Sequence, residues 1–244
     1  HCLMARVDAI ASRDLARSRE AAASAGIAKA YGSYEELLAD PEIDVVYNPL
    51  PNHLHVEWSV RAAEAGKHVL CEKPVSLHAA ELDRLIEARN RCKVQVAEAF
   101  MVRTHPQWLE AVDQVRQGAI GEVRAVQTLF SYFNRDGKNI RNKPAMGGGA
   151  LMDIGCYGVN VSRMVFGSEP KRVIGLFDRD PEFQVDRLCS AILDFPNGQA
   201  SFVCGTQQVP YQRVHILGSK GRVEIEIPFN AIPNDRMRIF IDDG

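Results

Sequence analysis

Short apolar runs alternate with longer amphipathic stretches along the first hundred residues. Runs rich in Val and Ile predict strands, whereas apolar positions recurring on one helical face predict helices. We place strands at residues 6–11, 43–47, 68–71 and 93–97, and helices at 15–25, 53–65 and 77–90. Ser33 and Glu36 fit a capping box that opens a further short helix. This rhythm is typical of a parallel sheet with helices on both faces.

The apolar runs at residues 45–47 and 69–71 show no alternation with polar residues. Strands that are buried on both sides have this pattern. We therefore expect these two strands to lie in the interior of a doubly wound sheet.

Strands follow one another directly after about residue 120. They are predicted at residues 123–133, 171–177, 188–195, 199–204, 213–217 and 222–227. The turns at 196–198 and 218–221 are short, and short turns join antiparallel neighbours. One helix, at 150–166, interrupts the series. The predicted fold class is therefore α/β, with a doubly wound parallel sheet at 1–100 and an α+β domain with a mostly antiparallel open sheet at 101–244.

Composition excludes several classes of protein. The chain has 244 residues, of which 46% are hydrophobic, and 29 basic against 31 acidic side chains give a net charge of −2. A nearly neutral chain has no general attraction for nucleic acid or for an anionic membrane. The sequence contains no run of about 18 apolar residues, so no membrane-spanning helix is predicted. The histidines are not grouped at metal-ligand spacing, so no metal is expected.

The six cysteines are scattered and form no C-x-x-C pair, so neither a zinc ribbon nor a dithiol motif is indicated. We interpret them as small buried residues in a reducing compartment, the cytoplasm. An open face on the antiparallel sheet would expose apolar surface in a monomer. We therefore expect a homodimer or a higher homo-oligomer.

Two candidate sites follow predicted parallel strands. Glu72, Lys73 and Pro74 come after the strand at 68–71, at the sheet edge where ligands bind. A lysine beside a cofactor can donate to a substrate hydroxyl and stabilise negative charge, and Pro74 favours an extended backbone at Lys73. A surface lysine in an ordinary loop is the alternative.

Pro51, Asn52 and His55 follow the strand at 43–47 and open a helix. Backbone amides at such a turn suit an anionic or polar cofactor. Simple capping by Asn52 explains the turn equally well.

A third candidate follows the glycines at 147–149. Asp153 and Tyr157 are four residues apart and share one face of the predicted helix. A free tyrosine has a pKa of about 10, which a nearby cation such as Lys73 would lower towards the range of an efficient proton relay. The alternative is a packed tyrosine with a solvated aspartate.

A fourth candidate, Ser12 with Arg13, follows the first strand. An arginine at this place in a dinucleotide fold accommodates a 2′-phosphate, which favours NADP. An ordinary exposed arginine at the start of the helix is the alternative. The Gly-rich loop that opens such folds does not occur in the sequence, and the chain ends directly after an apparent strand. We therefore expect both ends to be cut and cofactor binding by this chain alone to be weak.

Four motifs in order resemble the glucose–fructose oxidoreductase, inositol dehydrogenase and rhizopine-catabolism family, Gfo/Idh/MocA. They are the segments 51–55, 66–74, 97–101 and 147–157. Residues 97–107, residues 139–142 and Tyr157 most resemble the glucose–fructose oxidoreductase branch, which includes NADP-dependent xylose dehydrogenases and trans-dihydrodiol dehydrogenases. The resemblance implies a truncated Rossmann domain at 1–100, and a substrate-binding and dimerisation domain at 101–244.

The resemblance also implies roles. Lys73 would contact the reacting hydroxyl and the nicotinamide ribose, Tyr157 would be the general acid/base, and Asp153 would bind the sugar. NADP, with NAD as the alternative, would be held by Ser12, Arg13, Pro51, Asn52, His55, Glu72, Lys73 and Pro74. Phe133, Arg141 and Asn142 are weaker substrate-side candidates. The rival interpretations are a trans-dihydrodiol dehydrogenase and a regulatory member that binds the dinucleotide without turnover.

Overall fold

The computed structural model describes residues 5–232 and 235–243. Cys2, one of the cysteines interpreted above, lies outside the described residues. The chain divides into two compact units. The first holds the described residues as far as Leu50 together with Leu54–Ala99, and the second holds Pro51–His53 and the described residues from Phe100 onwards.

The first unit alternates short strands and helices. Its elements are β1 (Ala9–Ala11), α1 (Leu15–Ala25), β2 (Lys29–Tyr31), α2 (Tyr34–Ala39), β3 (Val45–Asn48), α3 (His55–Glu64), β4 (His68–Cys71), α4 (Ala79–Cys92) and β5 (Val96–Glu98). β1 pairs in parallel with β2, and β3, β4 and β5 form a second parallel sheet in that order. The carboxyl ends of the three strands in the second sheet therefore lie at one edge.

Local side chains determine where the first two helices begin. Asp14 caps α1 by accepting from the amides of Ala16 and Arg17, at 2.9 and 3.4 Å. At α2, Ser33 accepts from the Glu36 amide at 3.1 Å, and the Glu36 carboxylate accepts from the Gly32 amide at 2.9 Å. The bonds to Ala16, Arg17 and Glu36 satisfy amides that the helices leave unpaired, whereas the Glu36 carboxylate reaches the amide one residue before the cap. Ser33 caps α2 as the capping box predicts, and the returning bond of Glu36 is made one residue earlier than predicted, to Gly32.

The expectation that β3 and β4 are buried on both faces is wrong. One face of each strand is packed, and Val69 and Cys71 contact Ala62 of α3 there. The side chains of Val45, Tyr47 and Leu70 on the other face are exposed. Ala63 of α3 and Ala88 of α4 pack against Val96 of β5, which pairs with Val69, so both helices cover the same face of this sheet.

The second unit is built on a seven-stranded sheet. Its elements are α5 (Pro106–Arg116), β6 (Val123–Phe133), α6 (Cys156–Phe166), β7 (Arg172–Arg179), β8 (Asp186–Phe195), β9 (Gly198–Gly205), β10 (Gln207–Gly218), β11 (Arg222–Ile225) and β12 (Ile239–Asp242). The strand order is β12-β11-β10-β6-β9-β8-β7, and every pair is antiparallel except β6 with β9.

The main core lies between this sheet and the helices α5 and α6. Fully buried side chains from both helices and several strands meet there, among them Trp108, Val126, Val161, Ile216 and Val223. The alternate side chains of the strands point away from the helices. Among the described residues, no helix combines the length and the apolar character needed to cross a membrane.

Candidate active site

The loop after β4 carries Glu72, Lys73 and Pro74, and neighbouring strands anchor it on both sides. The Tyr47 hydroxyl on β3 donates to Glu72 Oε1 at 2.7 Å. The Val75 amide donates to Glu98 Oε1 on β5 at 2.8 Å. The Lys73–Pro74 peptide is cis. The backbone that presents Lys73 is thus fixed at the carboxyl end of the parallel sheet.

His55 connects this loop to the turn after β3. Its Nδ1 lies 2.7 Å from the Pro74 carbonyl oxygen and its Nε2 lies 2.6 Å from the Leu50 carbonyl oxygen. The side chain is 1% exposed. Any effect of His55 on a bound cofactor would therefore act through the two loops that it braces. Its direct contact with a cofactor stays a prediction.

Arg13 and Ser12 lie between the carboxyl end of β1 and the start of α1. The Ser12 hydroxyl accepts from the Asp14 amide at 3.3 Å, and the Arg13 side chain is exposed. Asp14 is occupied in capping α1. Both charged side chains at this corner are exposed, and the Asp14 carboxylate is directed to the amides that open α1.

The predicted helix at 150–166 begins differently from expectation. Residues Leu151–Gly155 form a π-helical turn, and α6 follows it. Gly149 has φ of 119°, and a Cβ there would overlap Oδ1 of Asp186. The Asp186 carboxylate accepts from the Leu151 amide at 2.7 Å, so a side chain from β8 holds the start of the turn. Burial raises the pKa of Asp186, and the bond from Leu151 opposes that shift.

Asp153, in the π-helical turn, is the centre of a polar cluster. Its Oδ2 accepts from the Tyr132 hydroxyl at 2.5 Å, and its Oδ1 accepts from Arg141 Nε at 3.0 Å. Burial, and secondarily the Asp153 charge, raise the pKa of Tyr132 far above its usual value. Tyr132 therefore keeps its proton and acts as a donor. Sequence reasoning missed it, because its partner is 21 residues away on another element.

Tyr157 lies on α6 within an aromatic cluster. Its ring centroid is 5.3 Å from that of Phe100, 5.8 Å from Phe130 and 5.1 Å from Phe229. The side chain is 8% exposed. Packing on three sides fixes the ring, so its hydroxyl has a defined direction.

The remaining candidates divide into exposed and enclosed residues. Phe133 is exposed. Asn142 is buried, and its amide donates to Asn134 Oδ1 at 3.2 Å and to the Asp136 carbonyl at 3.0 Å, so it closes its own loop. Asn52, which belongs to the second unit, donates to the Gly147 carbonyl at 2.9 Å. Pro51 precedes it and is half-buried.

The second unit thus brings together Asp153, Arg141 and Tyr132, with Tyr157 one turn further along. The first unit brings together Glu72, Lys73, Pro74 and His55. Among residues 5–232 and 235–243 there is no group of three or more His, Cys, Asp or Glu side chains arranged to hold a metal ion. A buried carboxylate with two donors can orient a hydroxyl-bearing substrate by charge-assisted hydrogen bonds.

Two family models match the chain. One describes an oxidoreductase family with an NAD-binding Rossmann fold and matches residues 1–100. The other describes the GFO/IDH/MocA C-terminal domain and matches residues 108–224. The resemblance drawn from the four motifs is thereby confirmed.

Three relatives illustrate the activities found among similar proteins. An uncharacterized oxidoreductase from Rhizobium meliloti is 54% identical, over 98% of this chain and 72% of its own length. A D-xylose 1-dehydrogenase (NADP(+)) from Haloferax volcanii is 40% identical, over 92% of this chain and 69% of its own. A trans-1,2-dihydrobenzene-1,2-diol dehydrogenase from Sus scrofa is 38% identical, over 91% of this chain and 67% of its own.

A solved structure is also similar. The aldose-aldose oxidoreductase from Caulobacter crescentus, complexed with glycerol, matches with a TM-score of 0.91 and 30% identity, over 100% of this chain and 74% of that one. The predicted fold class, a parallel Rossmann-type part followed by a mostly antiparallel sheet, is confirmed.

Proposed function

Since the chain belongs to the Gfo/Idh/MocA oxidoreductase family, we propose that it serves NADP-dependent hydride transfer to or from a CH–OH carbon of a sugar, an aldose or pentose. The relative from Haloferax volcanii carries that activity in its name. NADP supplies the hydride acceptor or donor, and the protein supplies binding, orientation and proton transfer.

The corner formed by Ser12 and Arg13 fits NADP. A 2′-phosphate needs a cation, and Arg13 is exposed there. An acidic side chain would repel the phosphate, but Asp14 is directed to the amides of Ala16 and Arg17. Glu72, Lys73 and Pro74 would line the nicotinamide side. NAD remains the alternative cofactor.

The observation that carries the proposal is the buried Asp153 carboxylate, held by Arg141 and Tyr132 one turn before Tyr157. A buried carboxylate needs donors to offset its lost hydration, and Tyr132 and Arg141 supply them. In the proposed reaction Asp153 orients the sugar, Lys73 donates to the reacting hydroxyl, and Tyr157 exchanges the hydroxyl proton. The proposal requires Lys73 and Tyr157 to act on the same carbon.

The test is Lys73→Ala and Tyr157→Phe in the natural protein, with xylose, glucose and a cyclic trans-dihydrodiol as substrates. Each variant should lose at least about 100-fold in turnover, the low end of an acid/base contribution. Tyr211→Phe removes an exposed hydroxyl elsewhere in the same unit and should change little. If either site variant turns over substrate as fast as the wild type, the proposed mechanism is wrong.

A second substrate class, a trans-dihydrodiol, is favoured by the 38% identity to the enzyme from Sus scrofa. A cyclic diol and a pentose both present adjacent hydroxyls, so the same Asp153 and Lys73 would serve either. The ratio of kcat/KM for the diol to that for xylose decides between them. Cofactor binding without hydride transfer to any substrate would instead favour the regulatory interpretation.

We also propose that the protein forms a homodimer or higher homo-oligomer through the open face of the seven-stranded sheet. Ile174 and Leu176 on the edge strand β7 are exposed, and Ile192 of β8 lies beside them on the same face. Proteins usually cover an apolar edge of this kind. Sedimentation equilibrium tests the proposal, and the mass of one chain at every concentration would contradict it. The cytoplasm stays the predicted location.

A further inference from the structure

Tyr132 lies outside the sequence motifs, and no step of the proposed reaction assigns it a role. It is the second-last residue of β6, and Phe133, which follows it, is exposed. The hydroxyl of Tyr132 donates to Asp153 Oδ2 at 2.5 Å, across 21 residues of sequence. A strand from the middle of the sheet therefore reaches the carboxylate that the proposed function assigns to the substrate.

Two donors approach Asp153 from different elements. Tyr132 holds Oδ2, and Arg141, in the loop after β6, holds Oδ1 at 3.0 Å. Since each oxygen has its own donor, the carboxylate cannot rotate about χ2 without breaking a charge-assisted bond. The plane of the carboxylate is thus set by the sheet and the loop together.

The two donors differ in rigidity. The Arg141 side chain is 46% exposed, so solvent competes for its guanidinium. Tyr132 is half-buried near the end of β6, and its neighbours Ser131 and Phe133 pair with β10 on either side of a register shift. A ring with two rotatable bonds on a central strand loses little entropy when it holds a partner. Tyr132 is therefore the more rigid of the two supports.

We propose that Tyr132 is a positioning residue, which holds the Asp153 carboxylate in the orientation that binds the substrate hydroxyl. The inference rests on the proposed function, because it takes Asp153 as a substrate ligand. Tyr132 touches neither the cofactor nor the reacting carbon in this role. It acts through Asp153 alone.

A double-mutant cycle of Tyr132→Phe and Asp153→Asn in the natural protein tests this role, with xylose and the dihydrodiol as substrates. Phenylalanine keeps the ring and removes the donor. Tyr132→Phe should raise KM for the substrate about tenfold, the loss of one hydrogen bond to a charged group. The KM for NADP should not change. In the Asp153→Asn background the same substitution should have almost no further effect, because its target is already altered.

The chain offers a matched control. Tyr31 donates to Asp40 Oδ2 at 2.7 Å in the first unit, so Tyr31→Phe removes the same kind of bond elsewhere. It should leave KM for the substrate unchanged. A merely structural role for Tyr132 would lower the melting temperature and leave KM as it is.

The outcomes separate the two levels of inference. If the wild type turns over a substrate and the effects of the two substitutions multiply, Tyr132 acts independently of Asp153 and the positioning role is wrong. If the wild type transfers hydride to or from no substrate, the proposed function fails and the positioning role fails with it. Coupled effects confined to KM for the substrate would support both.

Discussion

Two clusters in this molecule have nearly the same composition and different surroundings. In the first unit Asp40 accepts from the Tyr31 hydroxyl and from Lys29 Nζ, both at 2.7 Å. In the second unit Asp153 accepts from Tyr132 and Arg141. The two aspartate side chains are almost equally enclosed, at 7% and 11% exposed. Residue types, distances and burial therefore do not distinguish them.

The neighbours of each aspartate make the difference. Asp40 is the C-terminal cap of α2, and its backbone carbonyl also accepts from Lys67 Nζ at 2.7 Å, so the cluster joins a strand to a helix end. Asp153 lies in a π-helical turn that follows Gly149, a glycine with φ of 119°, and leads to Tyr157. Irregular helical turns occur often at functional sites. The irregular backbone that carries Asp153 is therefore what makes the second cluster, and not the first, the candidate site.

The largest expected effect comes from changing the backbone that carries the second cluster. Gly149→Ala places a Cβ against Asp186 Oδ1 at a φ of 119°, and should cost about 2–5 kcal/mol in unfolding free energy through overlap and strain. Gly26→Ala, with φ of 67° and open space around it, should cost only about 1 kcal/mol. Chemical denaturation measures both.

Activity gives a second readout of the same pair of variants. Gly149→Ala should lower kcat/KM in the protein that remains folded, because the turn carries Asp153, whereas Gly26→Ala should not. Equal losses of stability in the two variants would show that Gly149 is needed only for its φ. The contact with Asp186 would then have no role.

The sequence predicted the regular elements well, because their signals are local. The helix at 15–25 and the strands at 68–71 and 123–133 match α1, β4 and β6 at both ends. The three-residue strand β2 was missed, since so short a run shows no periodicity. The helix α5 was also missed, although Pro106 stands at its first turn.

The sequence indicated only those candidate site residues whose type and spacing suggest a function by themselves. The motif at 147–157 indicated Asp153 and Tyr157, and the family resemblance at 139–142 indicated Arg141; their roles stay predictions. Tyr132 and Asp186 were not indicated, because each contacts the π-helical turn from a strand that is distant in the sequence. Periodicity carries no information on such contacts. The exposed face of β3 was mispredicted for a related reason, since apolar residues alone do not show which helix covers them.

Removing each carboxylate in turn sharpens the comparison of the two clusters. Asp153→Asn should lower kcat/KM about 10- to 100-fold, the loss of one charge-assisted bond to the substrate. Asp40→Asn should leave kcat/KM of the folded protein unchanged and lower the melting temperature. Steady-state kinetics and thermal unfolding on the same samples measure both effects. A fall in kcat/KM for Asp40→Asn as large as for Asp153→Asn would make the two clusters functionally alike.

The smallest expected effect is on how the stability of the first unit depends on pH. Bonds from Lys29 and Tyr31 hold the pKa of Asp40 well below its usual range. A carboxylate with a lowered pKa in the folded state stabilises the fold above its unfolded pKa of about 4, and the contribution is lost as pH falls through the folded value. The melting temperature of the wild type should therefore exceed that of Asp40→Asn at pH 7, and the difference should shrink below about pH 4.

Glu42→Gln removes the more exposed partner of Lys29 and should show little of this trend, since solvent screens such pairs. If the difference in melting temperature between the wild type and Asp40→Asn stays the same in acid, the charge of Asp40 does not stabilise the first unit. The contrast between a structural and a functional aspartate would then have to rest on the backbone around each one.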